Sequence, residues 1–170
     1  MENMFWAASS FKADLSAWDV SNVTEMNLMF TEASSFNGDV SKWDVSSVSV
    51  MTSMFTSASS FNIDISNWDV SRVKRMNYMF WQATSFAQEL CGAAWVNSKA
   101  SKIEMFTGSS GSIPQTICMV AFLYRAELKS AVDKCLQLSP NGDCVNGSHG
   151  AIGAWDVSEV LDLSKIFNNA

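Results

Sequence analysis

Charged residues and histidine are scarce in this sequence. Charged side chains make up 16% of its 170 residues, and the acids outnumber the bases to give a net charge of −6. Proteins that bind nucleic acid cluster Lys and Arg to neutralise phosphates, and proteins that bind anionic membrane surfaces carry polybasic segments. The composition argues against both classes. No apolar run approaches the ~20 residues of a membrane-spanning helix.

The residues that build catalytic and metal centres are equally sparse. The single histidine, His149, lies in a Gly- and Ser-containing segment with no motif around it that would indicate a Ser-His-Asp triad. The four cysteines, Cys91, Cys118, Cys135 and Cys144, lack the C-x-x-C spacing typical of zinc sites. We therefore expect no enzymatic activity, no metal site and no cofactor.

The sequence is rich in copies of one pattern. Tryptophan recurs at positions 18, 43 and 68, and Met-Phe pairs end at residues 5, 30, 55 and 80, so the period is 25 residues without a slip. Three stretches, 8–30, 33–55 and 58–80, align residue by residue. Such a period indicates a repeat protein, in which each copy buries its apolar face against the next copy.

Each copy has two halves with different hydrophobic spacing. The first half alternates apolar and polar residues, which predicts a strand. The second half places Val48, Met51, Met54 or Phe55, and Ala58 at the spacing of a helix with one buried face. The sequence therefore predicts an α/β fold: a leucine-rich-repeat-like solenoid of 25-residue strand-turn-helix coils stacked as a parallel ladder. Strands are expected near 13–15, 38–41 and 63–66, and helices near 21–33, 46–58 and 71–83.

Equivalent residues of the copies are expected to stack on one another. The structural ladder comprises Trp18, Trp43, Trp68, Trp155, Phe30, Phe55 and Phe80. Two acidic columns also recur, namely Asp39, Asp64 and Glu89, and Asp19, Asp44 and Asp69. Stacked carboxylates can bind Ca²⁺, but acids also accept hydrogen bonds from the N–H groups of turns and helix starts. We favour the second interpretation.

Beyond the third copy the pattern weakens and then restarts. A repeat array over 1–108 ends in a divergent coil at 84–108, in which Lys99 and Lys102 replace the apolar Val73 and Met76 of the coil before. The sequence then predicts a linker at 109–122 and a helical, Cys-containing cap at 123–150, with its helix over 125–138. Residues 151–170 are the start of a second array. Because residue 1 aligns with residue 26 and residue 170 with residue 58, we expect both arrays to be truncated.

One long motif carries a family resemblance. The string F-N-x-D-[VI]-S-x-W-D-V-S-x-V-x-x-M-x-x-M-F covers residues 36–55 and 61–80, with a relaxed copy at 11–30 and a partial one at 152–167. It resembles the BspA-like surface-protein repeat, also called the bacterial surface protein 26-residue repeat, here with a period of 25. The resemblance implies a leucine-rich-repeat-like solenoid, extracellular or cell-surface display, and adhesion or binding of proteins and glycans. It brings no catalytic residues.

The even number of cysteines in a surface-type protein favours two disulfides. Three connectivities are possible for four cysteines. We favour Cys91–Cys118, which would tie the divergent coil to the linker, and Cys135–Cys144, which would tie the cap helix to the loop after it. Free buried thiols in a reducing compartment are the alternative.

Positions that vary between the copies are expected to face solvent. In the third copy these positions gather three cations and two aromatic residues: Arg72, Lys74, Arg75, Tyr78 and Trp81. Exposed aromatic and Arg side chains are frequent binding anchors. Alternatively, Trp81 packs over a loop and the charges are simply solvated. The sequence thus predicts a non-enzymatic, secreted or cell-surface module that binds protein or glycan; a structural spacer of a larger extracellular protein is the alternative.

Overall fold

A computed structural model describes residues 1–116, 120–121, 125–138 and 155–156 of the protein. The chain divides into two compact units, Met1–Thr116 and Ile117–Ala170. Regular elements are short: α1 spans Ala93–Val96, β1 Val120–Ala121, α2 Arg125–Leu138 and β2 Trp155–Asp156. The first unit holds the repeats, and its boundary falls inside the predicted linker at 109–122.

The prediction of strand-turn-helix coils is wrong. Within residues 1–116, α1 is the one regular element, and none of the strands predicted near 13–15, 38–41 and 63–66 or the helices predicted near 21–33, 46–58 and 71–83 forms. Those segments run as consecutive turns and extended chain. Isolated parallel bridges join equivalent residues of successive copies, Glu25 to Val50, Val50 to Arg75 and Arg75 to Ser101. The chain is therefore not a leucine-rich-repeat solenoid of strand-helix coils.

Backbone hydrogen bonds explain the difference. In the segment predicted as the second helix, alternate N–H groups donate to the next copy: those of Met51, Ser53, Phe55 and Ser57 bond to the carbonyls of Arg75, Asn77, Met79 and Trp81 at 2.8–2.9 Å. Between them, the N–H groups of Met54 and Thr56 donate to the carbonyls three residues back, and that of Thr52 donates to the side-chain oxygen of Asn27 in the preceding copy. In an α-helix every N–H group would bond four residues back. Bonds between copies thus replace the bonds of a helix.

A left-handed backbone residue recurs at every fourth position of this segment. In the second copy these residues are Ser53 and Ser57, both with φ of 56°. Their equivalents are Asn3, Ala7, Leu28, Glu32, Tyr78, Gln82, Glu104 and Gly108. The apolar residues that flank them, among them Met51, Phe55 and Ala58, are fully buried. The helix-like spacing therefore identified the buried positions correctly, although it does not reflect a helix.

Columns of stacked aromatic rings fill the core of the first unit. Phe5, Phe30, Phe55, Phe80 and Phe106 stack with ring centroids 5.3–5.6 Å apart. Phe11, Phe36, Phe61 and Phe86 form a second column at 5.7–6.1 Å. Each ring of the first column also stacks on the ring of the second column that follows six residues later, at 3.9–4.1 Å. These contacts bury most of the aromatic surface that each copy would expose alone.

The predicted tryptophan ladder is less uniform than the phenylalanine columns, because its members differ in stacking and in burial. Trp43 and Trp68 stack at 6.5 Å with nearly parallel rings. Each buried indole N–H donates to a carbonyl of the preceding copy at 2.9–3.0 Å, with the pairs Trp43 to Leu15, Trp68 to Val40 and Trp95 to Ile65. Trp18 differs, because it is 39% exposed and lies beside Phe5. The side chain of Trp155 is outside the described residues.

The second unit contains the longest helix among the described residues. This helix, α2, spans Arg125–Leu138, which are the residues for which the sequence predicts a helix. Ala131, Val132 and Cys135 are buried, and Lys129 pairs with Asp133 one turn later. Strands β1 and β2 pair in parallel, with Val120 opposite Trp155. The remainder of the predicted cap at 123–150, including His149, and of the second array at 151–170 lies outside the described residues.

Candidate binding surface

The five residues predicted to form a surface on the third copy lie in different parts of the first unit. Arg72 and Lys74 line a shallow groove of about 660 Å³. Arg75 instead lines a separate depression of about 360 Å³, together with residues from the first two copies. Tyr78 is 38% exposed and Trp81 is half-buried. The predicted residues therefore do not form one surface: Arg72 and Lys74 share the groove, Arg75 lies apart from them, and the two aromatic residues line neither depression.

The groove lies where the second and third copies meet an insertion in the fourth. Its lining comprises Ser47, Ser49, Ser71, Arg72, Val73, Lys74, Ala94, Asn97, Ser98, Lys99 and Ala100, which we call the cationic groove. The backbone of Lys74 is fixed from both sides, since its N–H donates to Ser49 and its carbonyl accepts from Ser101. Backbone bonds to both neighbouring copies thus hold Lys74 in place.

The insertion builds one wall of the groove. Two residues more than in the earlier copies precede Trp95, and α1 occupies this point. Trp95 is fully buried and anchors the short helix in the core. The chain enters α1 at Gly92, where a Cβ atom would lie 1.9 Å from the carbonyl oxygen of Ser66, so only glycine fits there. This anchoring places Asn97, Ser98 and Lys99 opposite the third copy.

The charges of the groove are not compensated. Arg72, Lys74 and Lys99 line it, and no carboxylate does. Among the residues that the structure describes, none of these three side chains forms an ion pair or a hydrogen bond. Asp69, the nearest acid in sequence to Arg72, accepts the N–H of Ser71 and does not line the groove. Clustered charges of one sign in a concave site raise the local concentration of counter-ions, here of anions.

Lys102 adds positive charge behind the wall of the groove. It takes the place of the buried Met76 of the third copy, and its Nζ donates to the carbonyls of Ser98 and Ala100 at 2.8 and 3.4 Å. Burial lowers the pKa of Lys102 below its ordinary value, and the charge of nearby Lys99 lowers it further. The two cations are therefore close enough to repel each other.

The acidic columns have a structural role. Each of six aspartates accepts the backbone N–H of the serine two residues later: Asp14, Asp19, Asp39, Asp44, Asp64 and Asp69. The hydroxyl and then the N–H of Ser21 lower the pKa of Asp19, and Ser41 lowers the pKa of Asp39 in the same way. Among the described residues, no three His, Cys, Asp or Glu side chains are arranged to hold a metal ion. The five aspartates of the two predicted columns serve turns, which is the interpretation that we favoured from the sequence, whereas the side chain of Glu89 makes no such bond in the part of the chain that the structure describes.

The cysteines are placed only in part. Cys91 and Cys135 are both disulfide-bonded, whereas Cys118 and Cys144 lie outside the described residues. The pairing of Cys91 with Cys118 and of Cys135 with Cys144 stays a prediction. Peptide mapping of the unreduced protein should recover these two linked pairs; four free thiols or another connectivity would contradict it.

The sequence pattern did not identify the second wall of the groove. Asn97, Ser98 and Lys99 were interpreted only as part of a divergent, terminal coil. The insertion before Trp95 was a usable signal, because insertions in repeat proteins map to loops on one face, often the binding face. Without a structure, however, nothing indicated that this loop folds back beside Arg72 and Lys74.

Comparison with known families covers the whole first unit. Residues 1–117 and 142–170 match the family described as "Mycoplasma protein of unknown function, DUF285". The chain belongs to this family. Because the function of the DUF285 family is unknown, it assigns no role to the groove residues. No curated protein and no solved structure matches the chain. None of the helices described here has the length and hydropathy to cross a membrane.

Proposed function

We propose that the chain is a non-enzymatic, secreted or cell-surface module that binds a protein or glycan through its third and fourth copies. Tyr78 is the observation that carries this proposal. It is a bulky residue in the left-handed region, with φ of 60°, and its side chain is 38% exposed. The left-handed conformation belongs to the repeat, since Leu28 and Ser53 share it at the equivalent position, so the exposed ring is what supports a functional role.

The surroundings of Tyr78 support the same proposal. At the repeat positions of Tyr78 and Trp81, the second copy has the small polar residues Ser53 and Thr56. The scaffold therefore does not require aromatic rings at these positions. Neither ring joins the aromatic columns of the first unit, so both remain outside the packing that holds the copies together. Aromatic side chains of this kind provide large contact areas for proteins and for the apolar faces of sugars.

The proposed location has two further supports. The resemblance to the BspA-like surface repeat implies display outside the cell. The disulfide bonds of Cys91 and Cys135 suit an oxidising environment, since disulfides are rare in reducing compartments.

A structural spacer is the second candidate function. The second copy favours it, because the positions equivalent to Arg72, Lys74, Tyr78 and Trp81 there carry the small polar residues Ser47, Ser49, Ser53 and Thr56. If the third copy played the same part, its cations and aromatic residues would be dispensable for every interaction of the protein.

A paired set of variants separates the two candidates. Tyr78→Ala with Trp81→Ala removes the aromatic part of the surface, and we expect the binding of the protein to whole cells or to protein and glycan arrays to fall at least about tenfold, as for a hot-spot pair. Trp6→Ala with Leu28→Ala is the matched control, since Trp6 and Leu28 occupy the same two repeat positions in earlier copies. The control should bind like the parent. A folded Tyr78/Trp81 variant that also binds like the parent would support the spacer instead.

A further inference from the structure

We infer that the cationic groove binds an anionic polysaccharide, a chain of sugars that carry sulfate or carboxylate groups. The inference rests on the proposed binding function and names the ligand class of one part of the surface. Three kinds of observation support it: the charges of the groove, the polar groups between them, and the side chains that it lacks.

The three cations converge from two copies of the repeat. Arg72 and Lys74 come from the third copy and Lys99 from the fourth, and all three are exposed. Arg72 can bind sulfate or carboxylate through two parallel N–H donors, while Lys74 and Lys99 act as point charges. With no carboxylate among the lining residues, an anion in the groove meets attraction from both walls.

Hydroxyl and amide groups also line the groove. Ser47, Ser49, Ser71, Asn97 and Ser98 line the groove. Ser49 donates its hydroxyl hydrogen to Thr24 at 3.1 Å, which leaves its oxygen able to accept. Asn97 contributes both donors and an acceptor. This mixture matches the hydroxyl groups of sugars, which donate and accept alike.

The apolar lining of the groove argues against a well-packed protein interface. It consists of the small residues Val73, Ala94 and Ala100. The anchors of protein interfaces are aromatic and Arg side chains that fill well-packed pockets, and this groove is shallow and has no aromatic residue to frame one. Single-stranded nucleic acid is disfavoured for a related reason, because its bases stack on aromatic side chains.

The test uses four immobilised probes of different chemistry. Heparin carries sulfate, alginate carries carboxylate, dextran is neutral, and polyglutamate is an acidic peptide. The parent protein should bind heparin, alginate or both, should not bind dextran, and should bind more weakly as salt screens the charges. The sulfated and carboxylated probes show which of the two groups the groove prefers.

Matched charge variants locate the binding. Replacing Arg72, Lys74 and Lys99 by Gln should weaken binding at least about tenfold, since hydrogen bonds to charged groups are the strong ones. Replacing Lys12, Lys42 and Lys134 by Gln removes the same charge from exposed positions outside the groove and should change the affinity less than about twofold. Lys99→Gln alone gives a second variant that does not depend on the triple variant folding.

Several results would overturn the inference. Equal losses in the groove and control variants would mean that overall charge, and not the groove, attracts the polysaccharide. Equal or tighter binding to polyglutamate would identify an acidic protein as the ligand. If neither polysaccharide binds while binding to cells still depends on Tyr78 and Trp81, the groove inference fails and the proposed function stands. If neither polysaccharide binds and binding to cells does not depend on Tyr78 and Trp81 either, the groove inference and the proposed function both fail.

Discussion

The second and fourth copies of the repeat stack in the same way with different residues. In the second copy the positions beneath the surface are apolar, and Val48 and Met51 are fully buried. In the fourth copy the equivalent positions are Lys99 and Lys102, and a short helix is inserted. The buried tryptophan persists nevertheless, as Trp95. Phe86 and Phe106 also continue the two aromatic columns. The fourth copy therefore keeps the aromatic residues of the core and varies at other buried positions.

This comparison predicts its largest effect at the shared tryptophan. Trp43 is 4% exposed and donates its indole N–H to Leu15. Trp43→Ala should lower the free energy of unfolding by about 3–5 kcal/mol, the usual cost of truncating a large buried aromatic side chain. Chemical denaturation measures this difference. Trp95→Ala should cost a similar amount if the two copies share one packing rule.

Two neighbouring substitutions serve as controls for Trp43. Lys42→Ala changes an exposed residue and should alter stability by less than about 0.5 kcal/mol. Trp18→Ala should cost clearly less than Trp43→Ala, because Trp18 is 39% exposed. Equal losses for Trp43 and Lys42 would show that the assignment of scaffold and surface is wrong.

A smaller effect on stability is expected for substitutions of Ser57, which occupies the same left-handed position of the repeat as Gly108. Ser57→Gly places the fourth-copy residue in the second copy and should leave stability unchanged or raise it by up to about 1 kcal/mol, because glycine adopts positive φ without strain. Ser57→Val should destabilise the protein by ~1–2 kcal/mol, since β-branched residues disfavour this region. Denaturation midpoints decide between these outcomes.

The glycine substitution also distinguishes this backbone from a helix. In an exposed helix position Ser57→Gly would cost roughly 0.5 kcal/mol instead. Thr52→Gly is the control, because Thr52 is outside the left-handed positions of the same segment, and it should be destabilising. A loss of stability for Ser57→Gly as large as that for Thr52→Gly would contradict the left-handed conformation.

The sequence predicted which residues of the repeat are buried but not the conformation of the chain. Met51, Phe55 and Ala58 follow helical spacing, and a run of turns with a left-handed residue at every fourth position buries the same set. Spacing alone cannot separate the two. Asn3 and Gly108 were a usable signal, since Asn and Gly favour the left-handed region, but Leu28 and Tyr78 at equivalent positions obscured it.

The candidate surface was predicted in a similarly partial way. Comparing the copies identified Arg72 and Lys74, because they depart from the residues at the same repeat positions. It also marked Lys99 as a departure from Val73, but it could not place Lys99 or Asn97 in space, because the insertion before Trp95 has no counterpart in the other copies. Their place beside the third copy follows from the anchoring of Trp95 and the close approach at Gly92, which are tertiary features.

The smallest predicted effect is a loss of stability at low pH. Hydrogen bonds from Ser21 and Ser41 lower the folded-state pKa of Asp19 and Asp39 below the ordinary value of 3.8. A carboxylate whose pKa is lowered by folding stabilises the protein above its unfolded pKa, and this contribution is lost as the pH falls through the folded pKa. Unfolding midpoints should therefore decrease below about pH 4.

An isosteric variant isolates this contribution. Asp19→Asn with Asp39→Asn keeps an oxygen that can accept the turn N–H group but removes the titrating charge. This variant should show a flatter decrease in stability with acid than the parent. An unchanged slope would mean that the turn aspartates do not contribute to the acid sensitivity, which would then have to come from other carboxylates.

The division between scaffold and binding surface is tested most directly by an NMR titration with a heparin oligosaccharide. Amide signals of residues 71–74 and 94–100 should shift, and those of the equivalent residues 21–24 in the first copy should not. The shifts should disappear when Arg72, Lys74 and Lys99 are replaced by Gln. Shifts of equal size at residues 21–24, or shifts that survive these replacements, would contradict the assignment of binding to the junction of the third and fourth copies.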